Sequence, residues 1–187
     1  MTKLRRIDNN ELQEILEKHK SWLQNCTKGE RANLSKEDLS KEDLSKADLS
    51  KADLRGVKLK GANLRGANLS GAKGLLNDID YLAENFEKTD DGYVGYKVFG
   101  MYYSIPYYWK LQHNEIIEEV VNSNRTDMCG CGINIATKEW IKREKPLVTR
   151  AWKVLIKWEW LSSVVVPYNT DGKIRCGRAM LLEEVEI

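Results

Sequence analysis

From Leu34 to Leu69 the chain places a leucine at every fifth position without a miss: Leu34, Leu39, Leu44, Leu49, Leu54, Leu59, Leu64 and Leu69. A period of five fits neither the 3.6-residue turn of a helix nor the two-residue alternation of a flat strand. Something else must turn the backbone, and a fixed period marks a coiled repeat architecture. Two residues before each leucine stand Ala32, Glu37, Glu42, Ala47, Ala52, Val57, Ala62 and Ala67. Immediately before each stand Asn33, Asp38, Asp43, Asp48, Asp53, Lys58, Asn63 and Asn68. In most repeats Ser or Arg follows, then Lys or Gly, as in Ser35-Lys36 and Arg65-Gly66.

This block resembles the pentapeptide-repeat family, whose motif is Ala-(Asp/Asn)-Leu-x-x, over residues 32–73. The resemblance implies a right-handed, four-sided (quadrilateral) β-helix with one pentapeptide per side. A narrow square interior is filled by one large and one small apolar side chain per side, so the eight leucines are the expected structural core. Short Asp or Asn side chains between them bond to the turning backbone. With four sides to a coil, positions twenty apart stack: Leu34 under Leu54, Leu39 under Leu59, Leu44 under Leu64, Leu49 under Leu69. Two coils at the usual strand spacing are only about 10 Å tall. One seam between coils is too little to stand alone, solenoid ends require caps, and both ends expose unpaired strand edges. Glu37 and Glu42 occupy positions where the interior wants alanine. The expectation is a loose rim from which both carboxylates turn to solvent, because unpaired burial is costly.

The flanks supply candidate caps. Leu12, Ile15, Leu16, His19, Trp22, Leu23 and Cys26 fall on one face of a predicted helix over residues 10–26, with Asn10 and Gln13 as its capping pair and Gly29 as a stop signal. His19, on the apolar face, is read as a packing residue. After Lys73-Gly74, the residues Leu76, Ile79, Leu82, Ala83 and Phe86 predict a second helix that ends near Asp90-Asp91-Gly92 and seals the coil or links it onward. The expected organisation is a capping helix at 1–30, the β-helix at 31–73, a helical connector or cap at 74–92, and an aromatic-rich domain at 93–187.

All eight tyrosines and five of the six tryptophans lie beyond residue 80. Alternating apolar runs predict strands at Tyr93–Phe99, Ile116–Val121, Gly132–Ala136, Trp152–Ile156, Val164–Val166 and Ile174–Val185. Thr137 caps a short helix over Lys138–Arg143, and Asn169-Thr170-Asp171-Gly172 is a turn. The fold class is therefore mainly β with helical caps: a two-coil right-handed quadrilateral β-helix, then an α+β domain with a mostly antiparallel sheet. Gly95-Tyr96-Lys97-Val98-Phe99, Cys129-Gly130-Cys131-Gly132-Ile133-Asn134 and Pro167-Tyr168-Asn169-Thr170-Asp171-Gly172-Lys173 are similar to C-terminal domains that follow short pentapeptide repeats in bacterial and phage-associated proteins. That likeness brings no known chemistry with it.

Three constellations could carry chemistry. On a strand, Cys129 and Cys131 would point to one face and could chelate a metal with Cys176 and a distant His113, but the second ligand pair usual for zinc is missing. Buried thiols acting as small apolar residues are the preferred reading, and neither metal nor cofactor is assigned. Gly130-Cys131-Gly132-Ile133-Asn134-Ile135-Ala136 is similar to the Gly-(Ile/Leu)-Tyr-Phe-Ala segment of ADP-ribosyltransferases, which would make Glu183 or Glu184 the catalytic glutamate of a nucleotide-dependent enzyme. This chain departs from that family at Tyr96-Lys97-Val98, which has no His or Arg, and at Asn134, where the family has Tyr. Finally, Tyr102, Tyr103, Tyr107, Tyr108 and Trp109, with Trp152, Trp158 and Trp160, could form a binding platform or cover the sheet. The alternation in Trp158-Glu159-Trp160 places both tryptophans on one face.

Charge excludes more than it identifies. Residues 31–73 carry ten basic and six acidic side chains, and residues 74–187 fourteen and seventeen, so neither forms the basic stripe of a nucleic-acid binder. Some pentapeptide-repeat proteins imitate DNA and inhibit type II topoisomerases, which takes a long acidic rod; this block is short and net basic. There is no apolar leader after Met1-Thr2-Lys3 and no run long enough to span a membrane, and four cysteines fit reduced thiols in the cytoplasm. The expectation is a cytoplasmic, non-enzymatic scaffold or protein-interaction protein. Its partner is an unknown protein, with neither nucleic acid nor membrane bound. The open coil edge favours a homodimer, with exchanged segments as one form of it.

Overall fold

The computed structural model describes residues 4–100 and 104–187. The chain divides into two compact units. The first holds the residues up to Leu76, with Thr126–Met128 and Tyr168–Thr170; the second holds the rest. The segment 74–92, expected as one connector, is thus shared: Gly74, Leu75 and Leu76 lie in the first unit, and the helix that follows lies in the second.

The repeat unit begins with strand β1 (Arg5–Arg6) and helix α1 (Asn9–Gln24). Asp8 caps α1, its carboxylate accepting the Glu11 amide at 2.9 Å, so the predicted Asn10–Gln13 pair lies inside the helix. Leu12 and His19 are buried, and Ile15 and Leu16 pack onto the leucines of the repeat. Along that repeat the backbone returns beside itself every twenty residues, in parallel pairs Asn33–Asp53, Asp38–Lys58, Asp43–Asn63, Asp48–Asn68 and Asp53–Lys73. The leucines face inward, none more than 8% exposed, with Ala32, Ala52 and Ala62 buried beside them.

Two local devices turn the chain at each repeat. The Asp or Asn before the leucine accepts the amide two residues on, as Asp43 does from Ser45 at 3.0 Å and Asn68 from Ser70 at 3.1 Å. Lys58, which cannot accept, interrupts this series. The fifth residue then takes a left-handed conformation: Lys36, Lys41, Lys46 and Lys51 have φ between 59° and 67°, and Gly56, Gly61, Gly66 and Gly71 between 69° and 71°. The second set of four uses the residue that adopts this conformation without strain.

Glu37 and Glu42 do not turn to solvent. Their side chains are 14% and 13% exposed and each meets an arginine: Arg5 at 2.8 Å from Glu37, Arg6 at 3.3 Å from Glu42. The cause is β1, which pairs in parallel with β2 (Glu37–Asp38) and sets one guanidinium beside each carboxylate. Arg5 also reaches Glu11 of α1 at 2.9 Å. The other end of the repeat is covered by Leu75, Tyr168 and Asn169. Asn169 accepts the Gly61 amide through its backbone carbonyl at 2.9 Å and donates its side-chain amide to the Ala62 carbonyl at 2.6 Å.

In the second unit α2 (Asp78–Asn85), capped by Asn77, is followed by a hairpin of β3 (Glu87–Lys88) and β4 (Gly92–Lys97). Then come β5 (Ile116–Glu118), β6 (Ile133–Ala136), α3 (Lys138–Glu144), β7 (Arg150–Lys157), a 3₁₀ turn (Trp158–Ser163), β8 (Lys173–Cys176) and β9 (Arg178–Glu186). The sheet runs β5-β9-β7-β4-β6-β8, antiparallel throughout, with β3 added beside β4. The predicted strand Ile174–Val185 is interrupted at Gly177, and its two parts pair with different neighbours. Val164–Val166 forms a single bridge, Val165–Arg175, rather than a strand. Thr137 caps α3 as expected, accepting the Trp140 amide at 3.2 Å. Ile117, Ile133, Ile135, Val154, Ile156 and Leu181 are fully buried.

Candidate functional site

β5 is an edge strand. Glu119 donates its amide to Gly177 at 2.9 Å, and Glu115 accepts from Leu181 at 2.8 Å, so the odd-numbered residues face β9. Strand geometry then turns the backbone groups of Ile116 and Glu118 outward. Trp109 takes one of them, donating Nε1 to the Glu118 carbonyl at 3.1 Å. Beside this edge lies an open groove lined by Tyr108, Glu118, Glu119, Val120, Glu159, Trp160 and Arg178. In its lining Val120 is 78% exposed and Tyr108 54%; Tyr107, whose ring meets that of Tyr108, is 97% exposed, and Ile116 of the edge strand is 44% exposed.

Three carboxylates, Glu118, Glu119 and Glu159, and one guanidinium, Arg178, line this groove. Arg178 pairs with Glu118 at 2.5 Å and lies 5.7 Å from the centre of the Trp160 ring. The Tyr108 hydroxyl donates to Glu119 at 3.1 Å, and its pKa is raised by desolvation and then by that neighbouring carboxylate. The arrangement offers aromatic area, aliphatic area and negative charge, features that suit binding.

The first unit shows a different surface. Each turn of the backbone except the one at Lys58 presents Asp or Asn, then Ser or a basic residue, around an interior of leucine. The family model described as pentapeptide repeats matches eight copies, at residues 30–61 and 38–73. Residues 30–73 are pentapeptide repeats. No curated protein and no solved structure matches the chain. The pentapeptide repeats carry the leucines and the lid contacts; the groove lies in the unit that follows them.

Of the residues singled out from the sequence, His19 is a link within the repeat unit. Its Nδ1 accepts the Ala32 amide at 3.1 Å and its Nε2 meets the Ser50 carbonyl at 3.0 Å. Cys129 and Cys131 lie in the loop before β6, not on a strand, so the same-face geometry expected of them does not arise. Both are exposed, whereas Cys176 is buried and its thiol is pushed up to about 12 by desolvation. His113 bonds through Nδ1 to the Leu182 carbonyl, at the irregularity where β7 and β9 shift register. Among the described residues no three His, Cys, Asp or Glu side chains converge as metal ligands do.

Glu183 pairs with Lys153 at 3.0 Å and Glu184 with Arg150 at 3.0 Å, both on the exposed part of β9. Asn134 bonds the carbonyls of Gly130 and Gly132. The aromatic set is divided: Trp160 is buried, Trp158 is 38% exposed, and the 3₁₀ turn sends the two in different directions in place of the expected strand alternation. Tyr107 and Tyr108 are exposed; Tyr102 and Tyr103 lie outside the described residues. The groove glutamates were missed by sequence reasoning, although Glu118-Glu119-Val120 at the end of a short strand was a usable signal. Lys97 was missed as well. Desolvation lowers its amine to about 8, and it sits 4.9 Å from the Phe99 ring and 5.6 Å from the Trp109 ring. A charged residue closing a strand of glycine, tyrosine and valine was the sign.

Proposed function

We propose that this is a non-enzymatic interaction protein in which a right-handed, four-sided, two-turn β-helix is the scaffold and the groove beside β5 is the contact face. Its occupant is a basic, extended segment of a partner protein. The observation that carries this reading is the groove's combination of exposed apolar side chains, Tyr108 and Val120, with the carboxylates of Glu118, Glu119 and Glu159, and with exposed Tyr107 and Ile116 close by along the chain. Exposed apolar patches rimmed by charge mark association surfaces, and an acidic groove selects against acidic partners more strongly than it adds affinity. On the outward side of this edge strand, Ile116 and the Glu118 amide supply backbone groups to such a segment, the Glu118 carbonyl being held by Trp109. A reducing cytoplasm is the compartment that fits four unpaired thiols. No helix among the described residues is long and apolar enough to cross a membrane.

The test uses a labelled peptide alternating Lys or Arg with aliphatic residues, and its counterpart with Glu in place of each basic residue. Fluorescence anisotropy with the whole chain should show binding of the basic peptide only, weakened by salt. Replacing Glu118, Glu119 and Glu159 by Gln should weaken it by about tenfold or more. Equal affinity for the two peptides, or none for either, would reject the reading. Light scattering on the same protein measures the expected homodimer separately.

A further inference from the structure

We propose that Cys129-Gly130-Cys131 is a thiol–disulfide exchange site that accepts disulfide substrates, with Cys129 attacking and Cys131 resolving. This goes beyond the peptide-binding face and does not depend on it. Both thiols are exposed. The Lys173 ammonium lies 2.9 Å from the Cys129 sulfur, where negative charge is carried in the reactive form of a thiol. Lys173 is itself held 5.8 Å from the Trp140 ring centre, and Trp140 is fixed by donating Nε1 to Asp171 at 2.8 Å.

The loop is built to hold two sulfurs. Asn122 donates its amide to the Cys131 carbonyl at 3.0 Å, and the Asn134 side chain bonds the carbonyls of Gly130 and Gly132 at 3.4 and 3.2 Å. A Cβ at Gly130 would stand 2.8 Å from Asn122 Nδ2 and 3.0 Å from Asn122 Cβ, so a larger residue there would have to displace the Asn122 side chain. Fully extended, residues two apart are separated by about 6.6 Å, near the upper limit for a disulfide. The chain bends at both Cys129 and Cys131, so neither lies on an extended strand. Cys176, buried and bonded to the Arg178 carbonyl at 3.2 Å, takes no part.

The chemistry balances as one stoichiometric exchange per chain, without catalytic turnover. The Cys129 thiolate attacks one sulfur of the substrate disulfide, a new S–S bond forms as the old one breaks, and the departing thiolate takes a proton from water. Cys131, its proton released to water, then attacks the Cys129 sulfur. That closes the Cys129–Cys131 bond and expels the second substrate thiolate. The substrate disulfide is reduced by two electrons to two thiols, and the protein dithiol is oxidised by two.

The experiment mixes the reduced full-length chain with glutathione disulfide and follows intact mass and peptide maps over time. The wild type should lose two hydrogens and yield a Cys129–Cys131 crosslink without accumulating adduct. Cys131→Ser should instead accumulate one glutathione on Cys129, formed faster than on the exposed Cys26. Lys173→Met should slow that first step by about tenfold, and Lys173→Arg should restore most of it. Circular dichroism of each variant separates a chemical loss from unfolding. Equal rates at Cys129 and Cys26, a persistent mixed disulfide in the wild type, or a folded Lys173→Met reacting at the wild-type rate would each overturn the proposal.

Discussion

The imidazole of His19 accepts the Ala32 amide through Nδ1 and stands 3.0 Å from the Ser50 carbonyl through Nε2. One side chain of the lid helix thus holds the backbone of two repeats. Because Nδ1 is an acceptor, the proton resides on Nε2, and a second proton would set N–H against N–H.

Burial lowers the His19 pKa from 6.5. A histidine lowered on folding binds protons better when unfolded, so its contribution is complete above about 6.5 and fades as pH falls toward the folded value. Asp53, lowered to about 2 by its hydrogen bond to Arg55, acts in the same direction but in a separate window below 3.8. Urea midpoints should therefore fall between pH about 7 and about 5.5. His19→Leu should flatten that slope and cost about 1–3 kcal/mol near neutrality by orphaning the Ala32 amide.

The left-handed corners make the second prediction. A non-glycine residue there costs roughly 1–2 kcal/mol, and glycine loses about 0.5–1 kcal/mol of unfolded-state freedom. Lys36→Gly, Lys41→Gly or Lys46→Gly should each stabilise the chain by about 0.5–1 kcal/mol in chemical denaturation. Gly66→Ala should destabilise it by a similar amount. A Cβ at Gly66 stands 3.6 Å from Lys46 Cγ, an ordinary contact, so the effect is conformational and not a clash.

Much of the repeat was legible because its information is local. The leucine spacing identifies which side chains are buried, and the residue before each leucine identifies the turn bond. What closes the repeat was not legible. The Arg5–Glu37 pair spans 32 positions and Asn169 meets Ala62 across 107, and no periodicity connects such residues. In the second unit the strands at 93, 133 and 152 were read nearly in place because alternation is strong there. Gly177 was read as strand interior, although it lets the chain leave one pair of neighbours for another. Lys173 beside Cys129 left no trace in the sequence, since contacts between loops follow from the fold alone.

Arg5 and Arg6 neutralise carboxylates that the repeat would otherwise hold mostly buried and unpaired. Arg5→Ala should lower the melting temperature more than Arg5→Ala combined with Glu37→Ala, because the second change removes the stranded charge and restores the alanine of the repeat motif. A double variant that melts below the single one would contradict this account of the rim.

The central claim is that the pentapeptide repeats hold their shape only when α1 with β1 covers one end and Leu75 with Tyr168 and Asn169 covers the other. Circular dichroism of an isolated peptide of residues 31–73, heated in dilute buffer, tests it most directly. The account predicts a disordered spectrum with no cooperative transition. A β-rich spectrum that melts sharply and reversibly would contradict it.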